Sequence, residues 1–378
     1  MYPRILQEKI ESSLNSERAL IIYGPRRVGK TTLATGIGKK HGKYLYLNCD
    51  EPDVRKALQD KTSFELRGTI GNHDFVIIDE AQRVTNIGIT LKLIVDSKLT
   101  KHLIATGSSS FDLANRVNEP LTGRKIIFNL LPLIYAEITS ELSSKIERER
   151  MLSNLMIYGS YPEIVTTPGL TEKKDYLREL VESTLYKDIL EFQKIRNPNK
   201  IRDLLRALAF QSGGEVSYAE LGQSLELDSQ TVESYINLLE QCFIIYRLHP
   251  LTRNPRKEIS RMRKIFFYDN GVRNALINKF ESAAEHPDKG QLWENWAIGE
   301  RIKLHRTKGD PRSHYFWRLK SGAEIDLVEE QNGKYFGYEY KYSDKKVNQP
   351  ESWNNLYPNS KWKVIRPSNF DEFGLGDS

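Results

Sequence analysis

Gly24-Pro25-Arg26-Arg27-Val28-Gly29-Lys30-Thr31 follows the apolar run Ala19-Leu-Ile-Ile-Tyr23 and opens a helix-like stretch that reaches to about Lys40. An eight-residue loop of the form G-x-x-x-x-G-K-[ST], set between a buried strand and a helix, is built to hold phosphate. Small glycines let backbone N–H groups close on the phosphate oxygens, and the helix N-terminus adds positive potential beneath them. Lys30 is expected to reach the β- and γ-phosphates, as a binding and a catalytic group, and the Thr31 hydroxyl to take a place on Mg²⁺. Residues 24–31, with Thr32 following, are therefore the expected nucleotide-binding residues. ATP and Mg²⁺ are the implied ligands.

Working outward, Ile5, Leu6, Ile10 and Leu14 recur at helical spacing ahead of the loop. After it come strand-like runs at 44–48, 74–79 (DFVIID), 102–106 (HLIAT) and 125–129, separated by helical segments. Strands alternating with helices predict a parallel sheet covered on both faces, an α/β architecture. Asp79 ends one of those strands and is expected to help hold Mg²⁺. Glu80, the next residue, is placed to act as general base on the attacking water. Thr106 and Ser108 end the following strand and are candidates for the γ-phosphate or that water. The Gly107-Ser110 cluster serves equally well as a loop former. Arg116 and Arg124 are candidates for the cation that stabilises charge on the transferring phosphoryl group, Arg124 preferred because it directly precedes a strand.

The formal charge of the 378-residue chain is +6. The segment 253–279 carries Arg253, Arg256, Lys257, Arg261, Arg263, Lys264, Arg273 and Lys279 against Glu258 and Asp269, so its local surplus equals that of the whole protein. Such a surplus permits nucleic acid as a partner without requiring it. Cys49 and Cys242 fit no metal or redox spacing and read as two buried thiols in a reducing compartment. No stretch approaches the length of a membrane span, so a cytoplasmic protein with no membrane partner is expected.

Five stretches, GPRRVGKTTL, FVIIDEAQ, ATGSSSF, LTGRKIIFNLLPL and YGSYPEIV (158–165), stand in the order seen in a family of prokaryotic AAA-type P-loop ATPases, which the chain resembles over nearly its whole length. The first two are common to P-loop ATPases in general; the later three are more selective. Members of that family are fused to a C-terminal domain of unknown function with a restriction-endonuclease-like fold. The resemblance implies an AAA-type sheet first and a PD-(D/E)xK nuclease-like α/β module last.

Between them, Asn197-Pro198 breaks a helix read over 177–192. A three-helix pattern follows at 201–211, 217–225 and 228–241, with Ser217, Glu220 and Asp228 as capping residues. Strand-like 243–249 and 264–268 flank the basic tract, in the order of a winged helix-turn-helix. The expected domains are 1–139 (ATPase), 140–200 (helical connector), 201–280 (winged helix) and 281–378 (nuclease-like). The third helix carries Asp228, Glu233 and Glu240 and neither Arg nor Lys, which argues against base reading by that helix. The tract 253–264 is the better candidate for contacting a DNA backbone, with a solvated charged loop as the alternative.

Asn332-Gly333 marks a two-residue hairpin turn between Glu324-Ile-Asp326 and Glu339-Tyr-Lys341. That register sets Asp326 opposite Glu339 and Glu324 opposite Lys341, with all four side chains on one face. Two carboxylates so close call for a divalent cation between them, with Lys341 placed to orient or deprotonate a water. The aromatic face (Phe336, Tyr338, Tyr340, Tyr342) is expected in the core. This is the D…E-x-K pattern of the endonuclease-like fold, and Glu294 matches the position where such folds place a further acid. The expectation is an ATPase that couples Mg-ATP hydrolysis to DNA engagement by the C-terminal module. The rival is a nucleotide-gated switch that docks a protein partner or a second copy and cleaves nothing.

Overall fold

The computed structural model describes residues 2–108, 121–185, 197–252 and 263–375. The chain forms two compact units, Met1–Pro132 with Gln241–Phe243, and Leu133–Glu240 with Ile244–Ser378.

The first unit opens with α1 (Ile5–Ser13), β1 (Ala19–Gly24) and α2 (Lys30–Lys40), followed by β2 (Leu45–Asn48), α3 (Pro52–Leu58), α4 (Ser63–Ile70) and β3 (Phe75–Asp79). It continues with α5 (Ile87–Asp96), β4 (His102–Ser108) and β5 (Lys125–Asn129). Among the described residues the sheet has five strands in the order β2-β3-β4-β1-β5, and every pairing is parallel. Residues of β1 and β3 are buried throughout, as a strand covered by helices on both faces must be. α4 begins at a capping box in which Thr62 Oγ1 accepts from the Glu65 amide and Glu65 accepts from the Thr62 amide.

The second unit runs through α6 (Tyr135–Thr139), α7 (Lys145–Tyr158), α8 (Pro162–Thr166) and α9 (Leu170–Glu179), which continues into a π-helical turn at Leu180–Leu185. Then come α10 (Pro198–Phe210), β6 (Glu215–Val216), α11 (Tyr218–Leu225), α12 (Ser229–Gln241), β7 (Ile245–Pro250), β8 (Arg263–Phe267) and α13 (Asn270–Ile277). The chain ends with α14 (Lys289–Lys308), β9 (Ser313–Arg318), β10 (Glu324–Gln331), β11 (Lys334–Tyr340), α15 (Glu351–Leu356), β12 (Lys361–Ile365) and α16 (Phe370–Leu375). The expected caps are present: Ser217 Oγ accepts from the Glu220 amide and Asp228 Oδ1 from the Thr231 amide.

The expected division at 280/281 does not appear as a structural break. β7 pairs in parallel with β9 through His249↔Tyr315 and Pro250↔Phe316. This joins the strands of 201–280 to those of 281–378 in one seven-stranded sheet, β12-β11-β10-β9-β7-β8-β6. The free edge of a short antiparallel pair is a template for further pairing, and β9 takes it. The two units meet in sequence at Pro132 and Leu133.

α14 crosses the interior of this unit with charged groups that pair locally. Buried Arg301 makes two bonds to buried Glu329, at 2.7 and 3.1 Å, and Lys303 pairs with Glu300 at 2.5 Å. The Asn295 side chain accepts from the Phe267 amide (2.8 Å) and donates to the Phe267 carbonyl (2.9 Å). It thereby ties β8 to α14. Both cysteines are buried, and among the described residues no helix is long and apolar enough to cross a membrane.

Candidate functional site

All five strands of the first sheet run in one direction, and Gly24, Asn48, Asp79, Ser108 and Asn129 close its carboxyl edge. Ligands of open α/β sheets bind beyond that edge. The phosphate loop lies there, between β1 and α2, with Arg27 in the left-handed region (φ 63°) and Gly29 at φ 94° capping α2. Gly24 is required by close approach, because a Cβ on it would stand 2.0 Å from the Leu130 carbonyl oxygen. Lys30 is buried, its ammonium donating to the loop's own carbonyls, those of Gly24 and Pro25, each at 2.9 Å.

β4 lies between β1 and β3, and the register Ile78↔Ala105 brings the next residue, Thr106, beside Asp79. Thr106 Oγ1 donates to Asp79 Oδ1, while Thr31 Oγ1 (2.8 Å) and the Tyr46 phenol (2.6 Å) donate to Oδ2. Burial, with its bond to Asp79, pushes the Tyr46 phenol well above its ordinary range. Glu80 leaves the strand at φ 51°. Its carboxylate accepts from the Gln82 side-chain amide, which also donates to Ser108 Oγ at 2.9 Å. Thr31 and Asp79 thus present adjacent oxygens, the donor type a hard divalent cation takes, so the residues fit Mg²⁺. Tyr46 and Gln82 were not singled out in the sequence.

Arg124 stands at the opposite end of the sheet from the loop. It immediately precedes β5, whose first residue pairs with Ala19 at the start of β1, and its side chain pairs with Asp96. The loop is at the far end of β1, five residues at ~3.3 Å each, or roughly 17 Å away. Arg124 therefore cannot reach a phosphate bound in its own chain's loop. Arg116 lies outside the described residues, as do Ser109 and Ser110.

A second constellation lies wholly in the second unit. Glu294 from α14, Glu324 and Asp326 from β10, and Glu339 and Lys341 from the end of β11 line one open pocket of about 540 Å³, together with Lys264 from β8 and Glu215 from β6. The hairpin register is as expected from Leu327↔Tyr338 to Gln331↔Lys334. The ladder stops one residue short of the expected Asp326–Glu339 pair, because Asp326 Oδ2 itself takes the Tyr340 amide at 2.8 Å. All four acid and lysine side chains of the hairpin still face the pocket. On the opposite face Tyr338 and Tyr340 are buried, whereas Phe336 and Tyr342 are half-buried.

Lys341 Nζ lies 2.6 Å from Glu339 Oε1 and 3.7 Å from Asp326 Oδ2. Burial and the neighbouring Asp326 raise the Glu339 carboxyl above its usual range, and burial with Asp326 does the same to Glu294. Lys264 is a correction. Counted in the sequence with a backbone-contacting tract, it is 4% exposed and lines this pocket. Arg273, from the same surplus, is also buried and pairs with Asp288. Residues 253–262 lie outside the described residues.

Residues 16–139 match the family model described as an AAA domain. Residues 149–283 and 289–372 match two domains of unknown function, DUF8612 and DUF4143. The match to the AAA domain spans most of the first unit. The chain is 26% identical over 336 residues to an uncharacterized protein of Mycobacterium tuberculosis, covering 88% of this chain and 72% of that one. It is 26% identical over 344 residues to an uncharacterized protein of Methanocaldococcus jannaschii, covering 86% and 75%. Among solved structures it is similar to a Walker-type ATPase of Pyrococcus abyssi, with 15% identity and a TM-score of 0.49 over 73% of this chain and 96% of that one.

Proposed function

We propose that the protein binds Mg-ATP in the 24–31 loop, hydrolyses it to ADP and phosphate, and couples that cycle to DNA engagement by the second unit. The observation that carries the reading is the cluster on Asp79, where Thr31, Thr106 and Tyr46 converge on one carboxylate at the end of a parallel strand, with Glu80 next along. Bound Mg²⁺ would be held by Thr31 and Asp79 and would neutralise charge on the phosphate oxygens. On binding, Lys30 exchanges the Gly24 and Pro25 carbonyls for phosphate oxygens. Glu80 takes the proton of the water that attacks the γ-phosphorus, while Gln82 and Ser108 hold the Glu80 carboxylate in place. In the acid pocket Asp326 and Glu339 would hold a divalent cation, Glu294 would supply a further acid and Lys341 would orient a water. A cytoplasmic location agrees with this reading.

ATP turnover tests the first half. Lys30→Ala abolishes it, and Glu80→Gln retains ATP binding while lowering turnover about a hundredfold or more. Undiminished hydrolysis in either variant removes the corresponding assignment. The rival, a nucleotide-gated switch that docks a protein partner or a second copy without nuclease activity, is favoured by α12, whose sequence has neither Arg nor Lys. Plasmid incubated with Mg²⁺ or Mn²⁺ separates the two, cleavage by wild type and not by Asp326→Ala supporting the nuclease form. Absence of cleavage with either metal, with and without ATP, leaves the switch ahead.

A further inference from the structure

Asp79 Oδ2 takes two hydroxyl donors, Thr31 Oγ1 at 2.8 Å and the Tyr46 phenol at 2.6 Å, and Oδ1 takes a third, Thr106 Oγ1. An ionised carboxylate offers about two acceptor positions on each oxygen, so both of those on Oδ2 are engaged. The three donors differ in how firmly they are held. Thr106 is fully buried in β4, and its hydroxyl also accepts from the Glu80 amide at 3.2 Å. Thr31 stands in the first turn of α2, directly after Lys30 of the phosphate loop. Tyr46 is 39% exposed on β2, which ends the sheet order among the described residues.

Asn48 pairs with Asp79, so Tyr46 lies two residues back from the carboxyl edge of the sheet. At ~3.3 Å per residue that is ~7 Å along the strand, a distance the long phenol side chain spans. A cation seated on Thr31 Oγ1 and Asp79 is drawn to the same Oδ2 that Thr31 already meets, directly or through one of its waters. Oδ2 then has one partner too many. Thr31 is itself a ligand of that cation, and Thr106 bonds the other oxygen, so the phenol is the group that yields. At the surface, water takes over the phenol's hydrogen bond with little net loss.

We propose that Tyr46 is a positioning residue that competes with Mg²⁺ for Asp79 Oδ2: its phenol holds the carboxylate beside Thr31 and is released to solvent when the cation arrives with the nucleotide. The competition weakens cation binding at the Thr31–Asp79 pair, so that the pair takes Mg²⁺ only where the triphosphate adds oxygen ligands of its own. The inference rests on the reading of the 24–31 loop and Asp79 as an Mg-ATP site, and it adds to that site a residue from a different strand.

Equilibrium binding of a fluorescent, non-hydrolysable ATP analogue to the full-length protein, with Mg²⁺ and with EDTA, tests it. Tyr46→Phe is expected to bind the analogue roughly three- to tenfold more tightly than wild type with Mg²⁺ and equally tightly in EDTA. A purely structural bond would move both affinities together. The second readout is the fluorine NMR resonance of residue 46 in protein carrying fluorotyrosine, assigned by its loss in Tyr46→Phe. It is expected to move when the analogue is added with Mg²⁺ and to stay in place when it is added in EDTA. Equal or weaker Mg-dependent binding by Tyr46→Phe, or a resonance that responds alike in the two conditions, overturns the proposal while the nucleotide site stands. No binding of the analogue by wild type overturns the site reading and this inference with it.

Discussion

Glu80 is a non-glycine residue in the left-handed region, φ 51°, directly after buried Asp79. Such a conformation is uncommon for a residue with a side chain and is retained where the surroundings enforce it. Here the Glu80 amide donates to Thr106 Oγ1 at 3.2 Å and the side chain is held by Gln82. The turn takes the carboxylate out of the strand's alternation and sets it beyond the sheet edge. At the same scale Gly24 meets backbone rather than a flexible side chain, so an added methyl has nowhere to go. Gly24→Ala is expected to cost about 1–3 kcal/mol, as overpacking does, and to weaken ATP binding; thermal unfolding and equilibrium binding measure the two, and an unchanged melting temperature contradicts the close approach. Asp79 and Glu80 were legible in the sequence because they lie at the end of an apolar run next to a recognisable loop. Tyr46 was not, since its bond to Asp79 spans 33 residues and joins strands whose pairing no local pattern encodes.

Elements show the same limit. The turn and register of hairpin β10–β11 were legible as far as Leu327↔Tyr338, because Asn332-Gly333 fixes the turn and alternation fixes the faces. Asn332 (φ 53°) and Gly333 (φ 75°) both occupy the conformation that such a turn requires. The union of β7 with β9 was not legible, and neither was the arrival of Lys264 in the acid pocket, because both depend on which sheet edge a distant strand meets. Element packing also sets an acid limit. His305 of α14 and His314 of β9 lie with Nδ1 and Nε2 2.8 Å apart, near Glu329 with Arg301, Arg306, Arg312 and Asp310 around them. Burial pushes both imidazoles down to about 4 from an ordinary 6.5. The unfolded chain therefore takes up protons below 6.5 that the folded pair does not, so stability falls as pH drops from 6.5 towards 4 and levels off below. The loss is on the order of 3 kcal/mol for each imidazole. Melting temperature against pH checks this, with His314→Gln expected to flatten the fall; a wild-type curve level across that interval contradicts it.

The chain passes between two units at Pro132–Leu133 and again on either side of Gln241–Phe243, and it is anchored on either side of the first crossing. In the first unit the Leu130 amide donates to the Tyr23 carbonyl at 2.7 Å, and the Arg4 side chain donates to the Leu131 carbonyl at 2.6 Å. In the second, the Leu133 amide donates to the Ser160 carbonyl at 3.0 Å, and its own carbonyl accepts from Lys303 of α14 at 3.0 Å. α14 also carries Glu294 into the acid pocket. Coupling of ATP turnover to DNA engagement is the central proposal, and it is tested as a coupling between two sites. The direct measurement is ATP turnover with and without duplex DNA, in wild type and Asp326→Ala. The account predicts that DNA changes the wild-type rate several-fold and that Asp326→Ala keeps its basal rate while losing most of that response. A wild-type rate indifferent to DNA at every salt concentration at which the protein binds nucleotide contradicts it.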